Sequence, residues 1–377
     1  MTAQISTYES LGIRPFINAC GTITTLGGSI MPPPVVQAMV EASRHFIPLI
    51  ELHEKVGQRI ASLTSNEGAF VCAGAASGMT LAGAACMTKD DVEAIQKLPD
   101  TTGRPNEFVI SLVDPHYFIH QGFELGGGKL VKVGSREKVT DEDYSGGICE
   151  RTAGVIFFLG SQPLDQLPGI IAVAHEHELP VIVDAAAQLP PRAYLTELTG
   201  LGADLVVFSG GKGLCGPQSS GLILGRADLI HACALNSNPH SGVGRSMKVG
   251  KEEIMGLLAA VELFMEQDEE AVIADWTKRC QTIGAVADEF EGVESNYTPP
   301  GVCKFPPASP TQNLRFTDAA PICAQEVQKQ LKDGEPSIQA SGSNESVGFG
   351  PQTLQAGEAE IIARRLREIL SAAQDAS

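Results

Sequence analysis

Between residues 56 and 250 the chain repeats one pattern: a short apolar run, then a helical stretch. The runs FVISLV, KLVKV, AGVIFFLG, PVIVDAA, DLVVFS and GLILG are mostly apolar, with polar residues chiefly at their ends, as expected of strands buried on both faces. Strands of this kind separated by helices predict a mostly parallel sheet covered on both sides, an α/β architecture. Ligands of open parallel sheets bind beyond the carboxyl ends of the strands. Residues that end these runs are therefore candidates for chemistry.

Two such ends stand out. Asp184 closes LPVIVDAA, and Lys212 follows ADLVVF in FSGGKGLCGPQSSG. Gly210 and Gly211 let the chain turn sharply and bring backbone close to a ligand. A lysine held there, instead of on a wet helix face, offers an amine for a Schiff base. Pyridoxal phosphate needs an aldehyde partner, an anion cradle and a carboxylate at its ring nitrogen. Lys212 and Asp184 supply the first and third. The cradle is Gly74-Ala75-Ala76-Ser77-Gly78, a small-residue turn before a helix-like stretch, where unpaired N–H groups and the helix dipole favour a phosphate. Ser209 adds a hydroxyl. Each piece alone has a plainer explanation: a solvated lysine, a helix-capping aspartate, a close-packing turn. Their order along the chain is the stronger signal.

The matching segments extend further: INACGTITTLGGS, GAASGMTLAGAACMT, PVIVDAAAQLPP, GADLVVFSGGKGLCGPQSSGLILGR, GRSMKVGKEEIMGLLAAVE, and GEPSI with IIARRLREIL. Over nearly its whole length the chain resembles the fold-type I pyridoxal-phosphate enzymes of the selenocysteine-synthase-like group, in particular the D-glucosaminate-6-phosphate ammonia-lyase family. The resemblance implies Lys212 as the Schiff-base lysine, Asp184 as the ring-nitrogen partner, and Ala75, Ala76, Ser77 and Ser209 around the cofactor phosphate. It also implies Gln188, in AAAQLPP, near the ring oxygen. In FVISLVDPHYFIHQGF the family usually has a histidine and an arginine after the strand; here the order is Asp114, Pro115, His116, Tyr117, and His116 takes the ring-stacking role.

A chain of 377 residues suits two domains. The pattern divides it into an N-terminal arm (1–55, with a helix from Val35 to Phe46), a large cofactor-binding domain (56–250), and connecting helices with a smaller C-terminal α+β domain (251–377). In that last part, 252–267 and 269–291 read as long helices, QNLRF and PSIQAS as strand-like pieces, 299–310 as a proline-rich loop, and 358–373 as a final helix. In related enzymes such an arm closes over the active site.

A formal charge of −18 disfavours nucleic acid and anionic membranes as partners, and this weighs against a tRNA substrate. Nine scattered cysteines, with no CxxC pair, read as reduced thiols of a cytoplasmic protein. No leader and no membrane-spanning run is expected, and no residue cluster has zinc spacing. Within this acidic chain Arg245, Lys248 and Lys251 concentrate positive charge at a helix start, where cations are unfavourable. Arg245 and Lys248 are thus candidate ligands of a substrate phosphate or carboxylate, or of the cofactor phosphate of a neighbouring subunit. Arg315 in QNLRF is a second carboxylate candidate.

The expected activity is a lyase reaction on a 2-amino-3-hydroxy acid: Lys212 takes the Cα proton, the β-hydroxyl leaves, and hydrolysis gives a keto acid and ammonia. D-Glucosaminate 6-phosphate, giving 2-keto-3-deoxygluconate 6-phosphate, is the substrate that the resemblance implies. Racemisation, aldol cleavage, β-replacement, selenium transfer or cofactor-dependent regulation remain open alternatives, since fold and cofactor do not choose among them. The resemblance also implies a homodimer or a larger even assembly.

Overall fold

The structure, a computed structural model, describes residues 6–304 and 306–376; the first five residues of the predicted arm, Phe305 of the proline-rich loop and Ser377 lie outside them. The strands are, in chain order, β1 (Phe16–Ala19), β2 (Gly68–Cys72), β3 (Glu107–Ser111), β4 (Lys129–Val133), β5 (Thr152–Phe158), β6 (Val181–Asp184), β7 (Leu205–Ser209), β8 (Gly221–Gly225), β9 (Val293–Thr298), β10 (Thr311–Phe316), β11 (Ser337–Gly342) and β12 (Ser346–Phe349). They fall into two compact units. Ser29–Gln267 makes up the bulk of the larger one; the smaller takes the chain up to Gly28, Asp268–Cys303, and the stretch from Pro307 onward.

These units divide the chain at 28 and 267, where the sequence pattern places its bounds at 55 and 250. Packing is the reason. Val35, Ile254, Leu257 and Val261 are buried in the core of the larger unit. Ile17 and Ala19, by contrast, are buried in the core of the smaller.

In the larger unit seven strands form one sheet in the order β2-β8-β7-β6-β5-β3-β4. Strands β3 to β7 pair in parallel. Strand β8 runs antiparallel to both neighbours. The connection from Gly210 to Ser220 contains no helix, and a parallel return in the same sheet would need a crossover.

Alternation along the strands supplies both faces. Val109, Val155, Phe157, Val183, Val206, Phe208 and Leu222 point into one core, where they meet Ile60, Ile170 and Leu257 from helices. Phe108, Ile110, Ile156, Phe158, Ile182, Val207 and Ile223 point into the other, against Met79, Leu81, Phe123 and Leu229. The helix Ala75–Thr88 lies in that second layer with most of its residues buried, which explains why it is apolar nearly all round.

The smaller unit holds a five-stranded sheet in the order β1-β11-β12-β10-β9. Strand β1 joins β11 in parallel, and the remaining pairs are antiparallel. The helix predicted over 269–291 ends at Gly284 and is followed by a short 3-10 turn, Ala285–Glu289. The turn swings Val286, Ala287 and Phe290 into this unit's core. Among the described residues no helix is long and apolar enough to cross a membrane.

Candidate active site

Strand register brings the sequence candidates of the larger unit to one edge of its sheet. Cys72 pairs with Gly221, and Gly221 with Ser209. Asp184 pairs with Val207 on one side and with Phe158 on the other. Because β2 and β3 to β7 all point the same way, Gly74–Ser77, Ser209–Lys212, Asp184–Gln188, Ser161 and Asp114–His116 all follow carboxyl ends along that edge. No spacing in the sequence shows this; the pairing does.

Close backbone approaches hold the edge together. A Cβ at Gly221 would stand 2.5 Å from the carbonyl carbon of Gly74, so only glycine lets β8 pass beneath the turn that starts the helix Ala75–Thr88. That helix begins without a side-chain cap, and Ser77 Oγ donates to the Gly74 carbonyl at 2.8 Å. Its first N–H groups are thus left to the edge. On the other side a Cβ at Gly213 would lie 2.2 Å from the Leu189 carbonyl oxygen, so the lysine turn packs directly on the loop that carries Gln188. Ser29 Oγ donates to the Gly211 carbonyl at 3.0 Å.

Asp184 is buried, and its Oδ1 accepts the Ala186 N–H at 2.9 Å. Burial is the main cause that raises its pKa to about 6, and the negative charge of Asp114 adds to it; the Ala186 hydrogen bond, Lys212 and His116 pull the other way. Lys212 is half-buried, and loss of solvent lowers its pKa against the opposing attraction of Asp184. An amine and a carboxylate that feel each other's charge are the pair expected of a site that handles protons.

Gln188 is buried; its Nε2 donates to the Leu159 carbonyl at 2.9 Å, while its Oε1 has no partner. Ala75 and Ser209 are half-buried and Ala76 is exposed. His116 is about half exposed, and its Nδ1 lies 2.9 Å from Asp114 Oδ1.

The cationic candidates separate. Arg245 and Lys248 are exposed, and among the described residues neither makes an ion pair, whereas Lys251 bonds the Ala42 carbonyl at 2.7 Å and pairs with Glu252. Arg315 lies on β10 in the smaller unit and pairs with Glu294 at 3.3 Å.

Sequence reasoning passed over Ser161, whose Oγ donates to Asp114 Oδ2 at 2.7 Å. The signal was available, because Ser161 follows β5 as Lys212 follows β7. A cavity of about 320 Å3 lies elsewhere in the larger unit, lined among others by His53, Phe70, His231 and His240. No predicted site residue lines it and it presents no lysine.

The family profile described as "SelA: L-seryl-tRNA selenium transferase" matches residues 16–281. The chain belongs to this family. It is 31% identical, over the full length of both chains, to D-glucosaminate-6-phosphate ammonia lyase of Salmonella typhimurium (strain 14028s / SGSC 2262). It is 32% identical to 5'-C-glycyluridine monooxygenase-decarboxylase of a Streptomyces species, over 96% of this chain and 92% of the relative. A solved structure of D-glucosaminate-6-phosphate ammonia-lyase superposes with a TM-score of 0.83 at 30% identity, covering 99% of this chain and all of that one.

The protein is a fold-type I enzyme dependent on pyridoxal phosphate. Its own residues fit that group. An uncapped helix start suits a phosphate, the orphaned Gln188 oxygen leaves a buried polar atom for a ligand to meet, and a buried carboxylate and a half-buried amine follow adjacent strands, β6 and β7.

Proposed function

We propose that this family member is an ammonia-lyase that converts D-glucosaminate 6-phosphate to 2-keto-3-deoxygluconate 6-phosphate and ammonia. The observation that carries the reading is the match, end to end in both sequence and structure, with the lyase. When bound, pyridoxal phosphate supplies an electron sink for the Cα carbanion. In this assignment Lys212 holds the cofactor aldehyde, Asp184 its ring nitrogen, Gln188 its ring oxygen and His116 its ring face. Ala75, Ala76, Ser77 and Ser209 hold its phosphate.

The site's electrostatics support the division of labour. Burial lowers the Lys212 pKa, which makes the neutral amine available to take the Cα proton. Asp184 gives the edge a fixed negative charge once a cationic partner offsets its burial. Loss of the β-hydroxyl as water and hydrolysis of the resulting enamine consume and return one water, so ammonia and the keto acid are the net products. Arg245 and Lys248 are assigned to the substrate phosphate.

The Streptomyces relative favours a second outcome, since its identity to this chain is similar. An oxygen-consuming decarboxylation would then replace elimination. Incubation of the enzyme with 2-amino-3-hydroxy acids, with and without a terminal phosphate, distinguishes the two. Ammonia and keto acid released in equal amounts without oxygen support the lyase; oxygen uptake with carbon dioxide release, or no keto acid, refutes it.

We further assign the protein to the cytoplasm as a homodimer or larger even assembly. Val36, Val40, Phe46, Ile47 and Ile50 are exposed apolar side chains close together in sequence, the kind of surface that subunit contacts cover. Sedimentation as a lone protomer would contradict the assembly.

A further inference from the structure

We propose that Asp114, braced by Ser161, is a positioning residue that fixes the ring plane and the tautomer of His116 at the strand-end edge. The inference rests on the placement of His116 at the cofactor ring.

The loop after β3 turns so that Asp114 is buried while His116 keeps a half-exposed ring. One carboxylate oxygen meets two nitrogens of the same residue: it accepts the His116 backbone N–H at 2.7 Å and lies 2.9 Å from the ring Nδ1. Holding a residue by backbone and side chain at a single oxygen leaves its side-chain torsions little freedom. The second oxygen accepts Ser161 Oγ at 2.7 Å, from the segment that follows β5. A carboxylate can only accept, so opposite Asp114 the proton of a neutral His116 sits on Nδ1 and its Nε2 is left as the free nitrogen.

The backbone bond alone would be an ordinary aspartate turn before the helix Tyr117–Leu125. Such a turn explains neither the ring bond nor the serine brought from another strand. It also gives no reason to bury the carboxylate beside Asp184, whose ionisation it disfavours. The ring's other close neighbour is Phe118, edge-on with centroids 5.5 Å apart. Phe118 limits tilt without occupying both faces. A buried, fully bonded carboxylate that orients a half-exposed imidazole has the form of a support for a group that meets a ligand.

The test uses the full-length enzyme with and without cofactor. In the cofactor-free protein, at a pH where histidine is neutral, imidazole nitrogen spectra with His116 assigned through H116F should show wild-type His116 protonated at Nδ1. Asp114→Ala should move the proton to Nε2, and Ser161→Ala should shift the same resonances part-way. In the loaded enzyme, visible circular dichroism of the cofactor should fall at least about twofold in D114A and in H116F, and the double variant should fall no further, because coupled residues are not additive. If truncation of the side chain unfolds the loop, Asp114→Asn, which keeps the shape, serves instead; if loss of the charge does, Ser161→Ala, which keeps the carboxylate, serves.

An unchanged tautomer in the Asp114 and Ser161 variants, or additive losses in the double variant, overturns the positioning role. If H116F leaves the dichroism untouched while D114A still moves the tautomer, the placement of His116 at the cofactor fails instead, and the functional meaning of the support fails with it.

Discussion

Asp184 illustrates how a single residue trades stability for chemistry. Its folded pKa is raised from 3.8 to about 6, so the unfolded chain ionises first; stability from this group is complete below about pH 3.8, falls as pH rises, and is fully lost above about pH 6. Asp184→Asn keeps an acceptor for the Ala186 N–H and removes the charge. The cofactor-free variant should therefore be more stable than wild type near neutral pH by about 1–3 kcal/mol, the lower end applying if the new amide N–H stays unpaired. Its turnover should drop by about 100-fold or more. Thermal or urea melts and ammonia assays check both, and a variant that loses stability at neutral pH would contradict this account. Lys212→Ala should abolish the borohydride-trapped adduct at that position and lower turnover by at least about 100-fold; an adduct retained elsewhere with full activity would remove the central assignment. Arg245→Ala and Lys248→Ala should raise KM for phosphorylated substrates by about 10-fold or more and leave unphosphorylated ones nearly unchanged, and equal losses on both would move these residues to another role.

Among the elements, the turn between β7 and β8 sets the position of the amine. Gly213 lies so close to the Leu189 carbonyl that any side chain must push the two loops apart. Gly213→Ala should therefore displace Lys212 from Asp184, and a shift of about 1 Å in a reacting group costs about 100-fold in rate. The core strands are untouched, so the melting temperature should change much less than the activity; collapse of both together would show that the turn supports the fold instead. The strands themselves were legible: GLILG is β8 residue for residue, because a run buried on both faces admits little besides apolar residues, and KLVKV is β4, an edge strand whose apolar Leu130, Val131 and Val133 are partly buried while Lys129 and Lys132 are exposed. Strands β1, β9 and β12 were not. Val293–Thr298 is mostly exposed along its length and β12 is four residues long, so neither carries a periodic signal strong enough to separate it from loop.

At the scale of the whole molecule, buried histidines weaken the larger unit as pH falls. His53 is buried and stacked on Phe70 with centroids 4.8 Å apart, and both ring nitrogens lack partners. Burial lowers its pKa from 6.5 to about 4. The unfolded chain therefore takes up this proton first, so the contribution is intact above about pH 6.5, declines as pH falls, and is gone by about pH 4, a loss of about 3 kcal/mol. Burial lowers the His120 pKa too, in the same sense. His53→Phe keeps an aromatic stack and should flatten the acid side of the stability curve; urea midpoints between neutral and mildly acidic pH measure it, and an unchanged slope would show that His53 is hydrated in solution. The sequence by itself determined the α/β class and the dependence on pyridoxal phosphate, and it put forward Lys212, Asp184 and the small-residue turn Gly74–Gly78, of which all but Gly74 lie in the helix Ala75–Thr88, because strand burial and strand-end residues leave local marks in composition and order. Only the tertiary structure decided that β8 runs antiparallel, that residues 29–55 belong to the larger unit, that Arg315 pairs with Glu294, and that Ser161 reaches Asp114. These depend on which distant segments share a face or an edge, and pairing between strands far apart in the chain is written in no short stretch of residues.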